Sequence, residues 1–195
     1  APDPVFARRP TSEAGAPLHR SHLVSGKLYH PDESGDALAT RRLLLGNSDV
    51  ALGLCRPTSA APRYFANGDG DDLYYVHEGA GVIESWFGPL AYRVGDYLLI
   101  PRGVVHRFVP ASPSLLFLIE GRTYVDIPKD FRNRSGQLRM DAPYSHRDFR
   151  RPTELPGPPG ADFQPGRYPI VVKRGGVYHE IVRDQHPLDV VAWDG

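Results

Sequence analysis

The chain has 195 residues, and its 23 basic and 23 acidic residues give a formal net charge of zero. This length is typical of one domain with an extension, and the charge balance gives no reason to expect binding to nucleic acid or an anionic membrane. The single cysteine, Cys55, excludes a disulfide framework within the chain and is typical of a cytoplasmic protein.

Residues 1–37 are predicted to form an irregular N-terminal arm. The first residues, APDPVFARRPTSEAGAP, lack an initiator methionine and the apolar core of a signal peptide. No later stretch approaches the roughly 18 consecutive apolar residues that a membrane-spanning helix needs. We therefore expect a cytoplasmic protein without a membrane partner, trimmed at its start.

The whole chain contains 20 glycines and 20 prolines. After the arm, such residues separate short apolar runs, a pattern typical of an all-β protein. Eight runs are predicted strands: 40–46, 50–55, 71–79, 81–88, 90–95, 96–101, 106–110 and 114–121. Strands at this spacing predict a small closed barrel or sandwich, which we place at residues 38–125. Cys55 falls in one of these apolar runs, where a buried inert thiol is the favoured interpretation.

The predicted strand 71–79 has a clear alternation of faces. Strand geometry places Asp72, Tyr74 and Val76 on one side and Leu73, Tyr75 and His77 on the other. If Asp72 faces inward, His77 faces outward and is a surface or interface residue. Exposed strand faces with Tyr75, Trp86 and Phe87 are expected either to pack on a partner subunit or to cover the Pro-rich stretch.

The segment GDYLLIPRGVVH carries a recognisable spacing. Gly95, Pro101, Gly103 and His106 match the second signature of the cupin barrel, a Gly, five residues, Pro, one residue, Gly, two residues and His. The glycines and the proline turn the chain sharply at the barrel rim, and the histidine begins the next strand with its ring pointing inward. The resemblance predicts a cupin-type double-stranded β-helix.

The first cupin signature, which supplies the other metal ligands, is degraded. Anchored on Gly79, it puts Asp72 at the position of the ligand glutamate and puts Phe65 and Asn67 at the positions of the histidine pair. A first-row metal usually needs three or more imidazole or carboxylate ligands, and the barrel offers at most His106 and Asp72. We therefore expect no metal here. Asp72 is interpreted as a residue capping a turn rather than as a ligand, and His106 as a hydrogen-bonded residue inside the barrel.

The composition changes after residue 125. Residues 126–169 form a Pro/Arg-rich loop region with six arginines between Arg132 and Arg151. Such a run is more often a solvated or subunit-facing surface than a site for anions or RNA, and no stripe of stacking aromatics accompanies it.

Residues 170–195 are predicted to hold a β-hairpin, with strands 170–173 and 177–182 around Gly175 and Gly176, and then a junction. The sequence ends on an apolar segment with Trp193, so we expect a longer natural protein. The histidines elsewhere fit no zinc motif: His19, His22, His30 and His146 lie in loop-like sequence, and His179, Glu180 and His186 lack the helical spacing.

The stretch FANGDGDDLYYVHEGAGVIESWFGPLAYRVGDYLLIPRGVVHRF strongly resembles the N-terminal half of homogentisate 1,2-dioxygenases, especially the bacterial members, and LDVVAWDG resembles the junction of that family. The resemblance implies a cytoplasmic non-haem Fe(II) enzyme of tyrosine and phenylalanine breakdown, which opens the ring of homogentisate with O2 to give maleylacetoacetate. It also implies a trimer or hexamer. The family's iron ligands lie in the C-terminal half, so the resemblance places no catalytic or metal-binding residue on this sequence, and no cofactor is expected in it.

Two alternatives remain open at this point. One is a stand-alone, metal-free cupin used for binding or assembly, which the degraded first signature favours. The other is a single-barrel metalloenzyme that uses His106 and Asp72, and this alternative requires a bound metal.

Overall fold

A computed structural model describes residues 22, 24, 27–30, 32–160 and 163–189. Trp193, most of the predicted arm and most of the predicted junction lie outside the described residues. The described part contains eleven strands and two short 3₁₀ turns, and no helix in it is long and apolar enough to cross a membrane. The strands are β1 Arg42–Gly46, β2 Val50–Cys55, β3 Tyr64–Asn67, β4 Asp71–Glu78, β5 Ala80–Ser85, β6 Gly88–Arg93, β7 Tyr97–Ile100, β8 His106–Pro110, β9 Leu115–Gly121, β10 Tyr168–Arg174 and β11 Val177–Arg183; the turns are Lys129–Phe131 and His146–Asp148.

The strands form two sheets, one of five strands in the order β1-β2-β9-β4-β7 and one of six in the order β11-β10-β3-β8-β5-β6. Between β4 and β9 the chain passes repeatedly from one sheet to the other, so the apolar faces of the two sheets enclose a shared interior. This is the all-β, cupin-type double-stranded β-helix that the glycine, proline and histidine spacing predicts. Among the strands of the described residues, every pairing is antiparallel except that of β10 with β3.

The barrel interior is filled from both sheets. Its core comprises Cys55, Tyr74, Val76, Ile83, Tyr92, Leu98, Ile100, Val104, Phe108, Leu116 and Leu118. The rings of Tyr74 and Phe108 meet edge to face with centroids 5.1 Å apart, a favoured aromatic geometry. The alternation predicted for β4 is confirmed, because Asp72, Tyr74 and Val76 are buried while His77 is exposed.

Strand β3 is absent from the eight predicted strands, because four residues ending in asparagine before a Gly-Asp loop resemble a turn. The structure places β3 in the centre of the six-stranded sheet, between β8 and β10. The C-terminal hairpin of β10 and β11 joins the sheet through it, with Ile170 opposite Tyr64 and Lys173 opposite Asn67. The hairpin is thus an integral part of the sheet and extends one or two residues beyond its predicted ends.

A second apolar core lies on the outer side of β3 and β10. It contains Tyr64, Ala66, Val105, Phe163, Tyr168, Ile170 and Leu188. The rings of Tyr64 and Phe163 stack at 5.1 Å, so the segment that precedes β10 and the segment that follows β11 both cover this sheet.

The Pro/Arg-rich region packs against the barrel near the turn between β5 and β6. Gly88 has a φ of +107°, and a Cβ at this position would lie 1.8 Å from the carbonyl oxygen of Glu154. Arg150 donates to the carbonyl of Ala91 at 3.0 Å and pairs with Asp96. The turn residue Trp86 donates its indole N–H to a carbonyl of the segment after β11, so the Trp86 turn contacts its own chain.

Three of the six arginines from Arg132 to Arg151 form ion pairs with aspartates: Arg132 with Asp126, Arg139 with Asp141 and Arg150 with Asp96. The other three side chains are exposed. This partial neutralisation favours a solvated surface over a concentrated anion-binding patch.

Candidate functional site

The four positions that the cupin signatures assign to metal ligands come together inside the barrel. Phe65 and His106 are register partners on β3 and β8, and their rings lie 5.6 Å apart. Asn67 donates its side-chain amide N–H to Asp72 at 2.8 Å. The anchoring of the degraded signature on Gly79 therefore identifies the correct region of the barrel.

Asp72 is fully buried, and its carboxylate is surrounded by donors. Arg41 approaches it with Nη2 at 3.2 Å and Nη1 at 3.4 Å, and the hydroxyl of Tyr74 donates at 3.1 Å. The interpretation of Asp72 as a turn cap is therefore wrong. Its neighbour Asp71 has that role, because its carboxylate accepts the backbone N–H groups of Arg102 at 2.8 Å and Val125 at 2.7 Å.

Arg41, Glu120 and Lys173 complete a buried ion cluster with Asp72. The Nη2 atom of Arg41 donates to Glu120 at 3.1 Å as well as to Asp72, and Lys173 Nζ donates to the other oxygen of Glu120. All four side chains are at most 5% exposed. With Lys173 protonated, the two cations and two anions that the described residues place here carry no net charge, which is how a protein interior accommodates ionised groups.

The electrostatics of the cluster follow from burial and proximity. Burial acts to lower the pKa of Arg41, but the attraction of Asp72, together with smaller contributions from Tyr74, Tyr178 and Glu120, outweighs burial and raises that pKa above its ordinary value. Burial lowers the pKa of Lys173, although Glu120 acts in the opposite direction. Arg41 thus remains a permanent cation, whereas the net effect on Lys173 is a lowered pKa.

His106 is only 1% exposed and serves as a hydrogen-bonded residue inside the barrel, as predicted. Its Nδ1 lies 3.0 Å from the carbonyl oxygen of Val104. Because a carbonyl only accepts, Nδ1 carries the proton, and Nε2 is left with its lone pair. Burial lowers the pKa of His106 below its ordinary value, so the imidazole is neutral at physiological pH.

A cavity of about 20 Å³ lies beside this histidine. Its lining includes His106, Arg41, Tyr74, Phe65 and Arg63. The volume accommodates one or two water molecules and is far below that of a pocket for an aromatic acid.

These residues do not fit a metal ion. Two of the four signature positions hold Phe65 and Asn67, and the carboxylate of Asp72 is already engaged by a guanidinium. Among the residues that the structure describes, no group of three or more His, Cys, Asp or Glu side chains is placed to hold a metal. Metal centres of this type usually need three such ligands.

The other histidines singled out in the sequence lie elsewhere. His186 packs against the second core, and its Nε2 lies 2.8 Å from the Tyr64 hydroxyl. Its Nδ1 lies 3.1 Å from a carboxylate oxygen of Asp189. His179 is exposed on β11, and Glu180 pairs with Arg63 at 3.2 Å. These three residues do not converge on one point.

Burial raises the pKa of Cys55 to about 12, consistent with an inert thiol.

The sequence signals for Arg41 and Lys173 are weak. Arg41 is followed by Arg42 and Lys173 by Arg174, and two adjacent basic residues are typical of an exposed strand end. Glu120 has a clearer signal. It continues the inward-facing alternation of Leu116 and Leu118 in β9, and a carboxylate at an inward position requires a buried partner.

The family model described as "Homogentisate 1,2-dioxygenase N-terminal" matches residues 50–195. The chain belongs to this family. A protein of Saccharolobus solfataricus named "Putative dioxygenase SSO1533" is 33% identical over 91% of the chain and 44% of its own length. The homogentisate 1,2-dioxygenase of Bradyrhizobium diazoefficiens is 28% identical over 70% of the chain and 29% of its own length. The homogentisate 1,2-dioxygenase of Oryza sativa subsp. japonica is 33% identical over 67% of the chain and 26% of its own length.

The chain thus spans less than half the length of these relatives. Among solved structures, a cupin superfamily protein from Desulfitobacterium hafniense matches 54% of this chain and 93% of its own chain, with 19% sequence identity and a TM-score of 0.43.

Proposed function

We propose that this chain is the N-terminal structural half of a homogentisate 1,2-dioxygenase-like, non-haem Fe(II) ring-cleaving dioxygenase, whose iron site lies in a C-terminal half. The observation that carries this proposal is the buried ion cluster, which takes the place in the barrel that a cupin metal would need. The family match and the greater length of the relatives support the same assignment.

The complete protein would open the aromatic ring of homogentisate with O2 to give maleylacetoacetate, as a cytoplasmic step in tyrosine and phenylalanine breakdown. The names of two of the relatives support homogentisate as the substrate. The cavity of about 20 Å³ supports placing the aromatic acid and O2 outside this barrel. We propose neither a nucleic-acid partner nor a membrane partner.

The test compares this chain with a longer version that includes the C-terminal half. Each protein is loaded with Fe(II) without oxygen and then mixed with homogentisate in air-saturated buffer, and both O2 consumption and maleylacetoacetate absorbance are followed. We expect turnover by the longer protein and none by the 195-residue chain. Turnover by the chain alone, in proportion to its bound iron, would contradict the proposal.

We also propose that the protein is a homo-oligomer, in line with the trimer or hexamer that the family resemblance implies. The support is the outer face of the five-stranded sheet, where two rows of apolar side chains cross the strands in register. One row is Leu45, Leu52, Ile119, Leu73 and Leu99, and the other is Leu54, Phe117, Tyr75 and Tyr97. Rows across five strands are roughly 20 Å long.

Leu45, Leu99 and Tyr97 are 60%, 43% and 67% exposed, so this face has the apolar centre that subunit interfaces share. A second copy packed face to face would bury it as in a β-sandwich. We expect light scattering after gel filtration to give a multiple of 21.6 kDa, and Leu73→Glu to give the monomer. The matched control is Leu155→Glu, on a side chain that is 87% exposed in the Pro-rich region. A monomeric, folded wild type would contradict this assignment.

The alternative of a stand-alone cupin for binding or assembly rests on the same apolar face. A purified protein with an intact mass of 21.6 kDa that forms stable oligomers and lacks dioxygenase activity would favour it over the dioxygenase half.

A further inference from the structure

We infer that the edge of β11 with which no described strand pairs is the site where β11 of a second copy adds to the sheet, antiparallel and with the two His179 residues opposite each other on a two-fold axis. This contact is additional to the one proposed above through the outer face of the five-stranded sheet, and it rests on that proposed homo-oligomer.

Three of the four sheet edges formed by the described strands carry features that oppose pairing with another chain. The edge strand β1 has an irregular register against β2, and β7 has only four residues and ends just before Pro101. The edge strand β6 contains Pro89, and Arg150 donates to its Ala91 carbonyl. Bulges, short strands, proline and coverage by another segment are common means by which proteins prevent edge-to-edge association.

The fourth edge, β11, has none of these features. It has seven residues without proline, and its register against β10 is unbroken from Val177 to Arg183. Val177, Ile181 and Val182 are 47%, 49% and 52% exposed. A long, regular edge with exposed apolar side chains is a site at which another strand can extend the sheet.

The sequence of β11 complements itself when two copies pair antiparallel around His179. Val177 then lies opposite Ile181 of the second copy, and Tyr178 lies opposite Glu180. Each pairing occurs twice because the contact is two-fold symmetric. Apolar side chains meet on one face of the sheet and neither pairing opposes like charges, which is the arrangement that stabilises neighbouring strands.

The adjacent symmetric registers are less favourable. Pairing around Glu180 places its carboxylate opposite that of the second copy. Pairing around Ile181 places the charged Glu180 opposite the apolar Val182, and it places two basic side chains, His179 and Arg183, opposite each other. Because like charges directly opposite destabilise a strand pair, the sequence favours the register around His179.

This register also continues the second apolar core into the contact. Tyr64, Ile170 and Ile181 are successive register partners on β3, β10 and β11, and the first two belong to that core. Val177 of the second copy takes the next place in the same row. The two half-exposed side chains of Val177 and Ile181 therefore cover each other on both sides of the axis.

Opposite charges meet at each end of the paired strands. The register places Arg183 opposite Gly175 of the second copy. The carboxylate of Asp69 lies at that turn, where it accepts the backbone N–H groups of Gly175 at 2.6 Å and Gly176 at 2.7 Å. Arg183 is exposed and approaches this carboxylate, so that one pair of opposite charges flanks the apolar pairs at each end.

The size of the contact sets its role. Seven residues at about 3.3 Å each form a strand about 23 Å long, and with a sheet thickness of about 10 Å the two copies bury on the order of 500 Å². A stable specific interface buries about 1,200 Å² or more. The edge contact is therefore too small to hold two copies alone, and it joins copies that the face contact already holds in pairs, since linked contacts reinforce each other.

The test places one cysteine on the proposed axis. His179→Cys and a control, Val182→Cys, both at exposed positions of β11, are made in the 195-residue chain and in the longer protein and are oxidised with diamide. Across the axis, the two 179 positions lie about 5 Å apart, within reach of a disulfide, whereas the two 182 positions lie roughly 20 Å apart. The wild-type proteins provide the background, and Cys55 is buried.

We expect more than half of His179→Cys, in both proteins, to migrate at twice the chain mass without reductant, against less than a tenth of Val182→Cys. Ile181→Lys puts a charge into the apolar pair and should reduce the oligomer mass in light scattering at least two-fold. Leu155→Lys, on a side chain that is 87% exposed in the Pro-rich region, should leave that mass unchanged.

An oligomer whose mass Ile181→Lys does not change, or a His179→Cys protein that cross-links no more than Val182→Cys, would overturn the inference and leave the face contact standing. Cross-linking in the 195-residue chain but not in the longer protein would also overturn it, because the C-terminal half would then cover β11. A monomeric wild type would contradict the proposed homo-oligomer and, with it, this contact.

Discussion

The pair of Glu120 and Lys173 provides the most quantitative test of the buried ion cluster. Glu120→Gln removes the carboxylate but keeps the shape of the side chain, and it leaves Lys173 buried without its direct counter-charge. Breaking a buried ion pair from one side typically costs about 3–5 kcal/mol, and we expect a loss of that size in the free energy of unfolding.

Lys173→Met should cost less, about 1–3 kcal/mol, because Glu120 keeps its contact with Arg41 at 3.1 Å. The double variant replaces both charged groups by neutral side chains of similar volume. We expect its loss to be smaller than the sum of the two single losses by about 2 kcal/mol or more.

The assay is urea denaturation of the four proteins at one pH, followed by tryptophan fluorescence and circular dichroism. Losses that add to within about 0.5 kcal/mol would refute the reasoning, since they would mean that the two charges do not interact in the folded state. An exposed pair, Arg139 and Asp141, provides the control, and its variants should leave the urea midpoint almost unchanged because water and salt screen exposed ion pairs.

Three further predictions concern other parts of the molecule. Because burial lowers the pKa of His106, the folded state binds its proton less tightly than the unfolded state. Stability should therefore fall as pH drops below about 6.5. His106→Asn keeps a donor in the Nδ1 position and should make the urea midpoint depend less on pH in this range. Equal slopes of urea midpoint against pH for the wild type and the variant would contradict the assignment. Cys55, with a pKa of about 12, should not react with a thiol reagent at pH 8 until urea unfolds the chain, and rapid reaction of the native protein would count against its burial. Gly88→Ala should destabilise the protein by about 1–3 kcal/mol, because the residue has positive φ and the new Cβ would clash with Glu154. Gly157→Ala, which meets nothing within 4 Å, should have little effect, and equal thermal shifts for the two would argue against the packing described here.

The sequence predicts the local features of the fold well, because these depend on short-range patterns. The period-two alternation of β4 correctly puts Asp72 inside and His77 outside. The spacing from Gly95 to His106 correctly identifies the barrel rim and the inward histidine. Both features are read from neighbouring residues, and neither requires knowledge of which strands pair.

The ion cluster was not predicted, because its members are distant in the chain. Arg41 and Glu120 are 79 positions apart, and Lys173 is another 53 positions further on. Each resembles an exposed residue until strand pairing brings it inside. The parallel pairing of β10 with β3 has the same origin, since it joins Ile170 to Tyr64 across the whole Pro/Arg-rich region. Such contacts depend on how the barrel closes, which one sequence does not specify.

The most direct test of the central claim is a crystal structure of the 195-residue chain grown with Mn²⁺, with anomalous data collected at the manganese edge. If Arg41 and its partners fill this site, guanidinium density should lie between Asp72 and Glu120, and no anomalous peak should appear inside the barrel. A peak coordinated by His106 and Asp72, with Arg41 displaced from them, would contradict it and would restore the barrel as a metal centre.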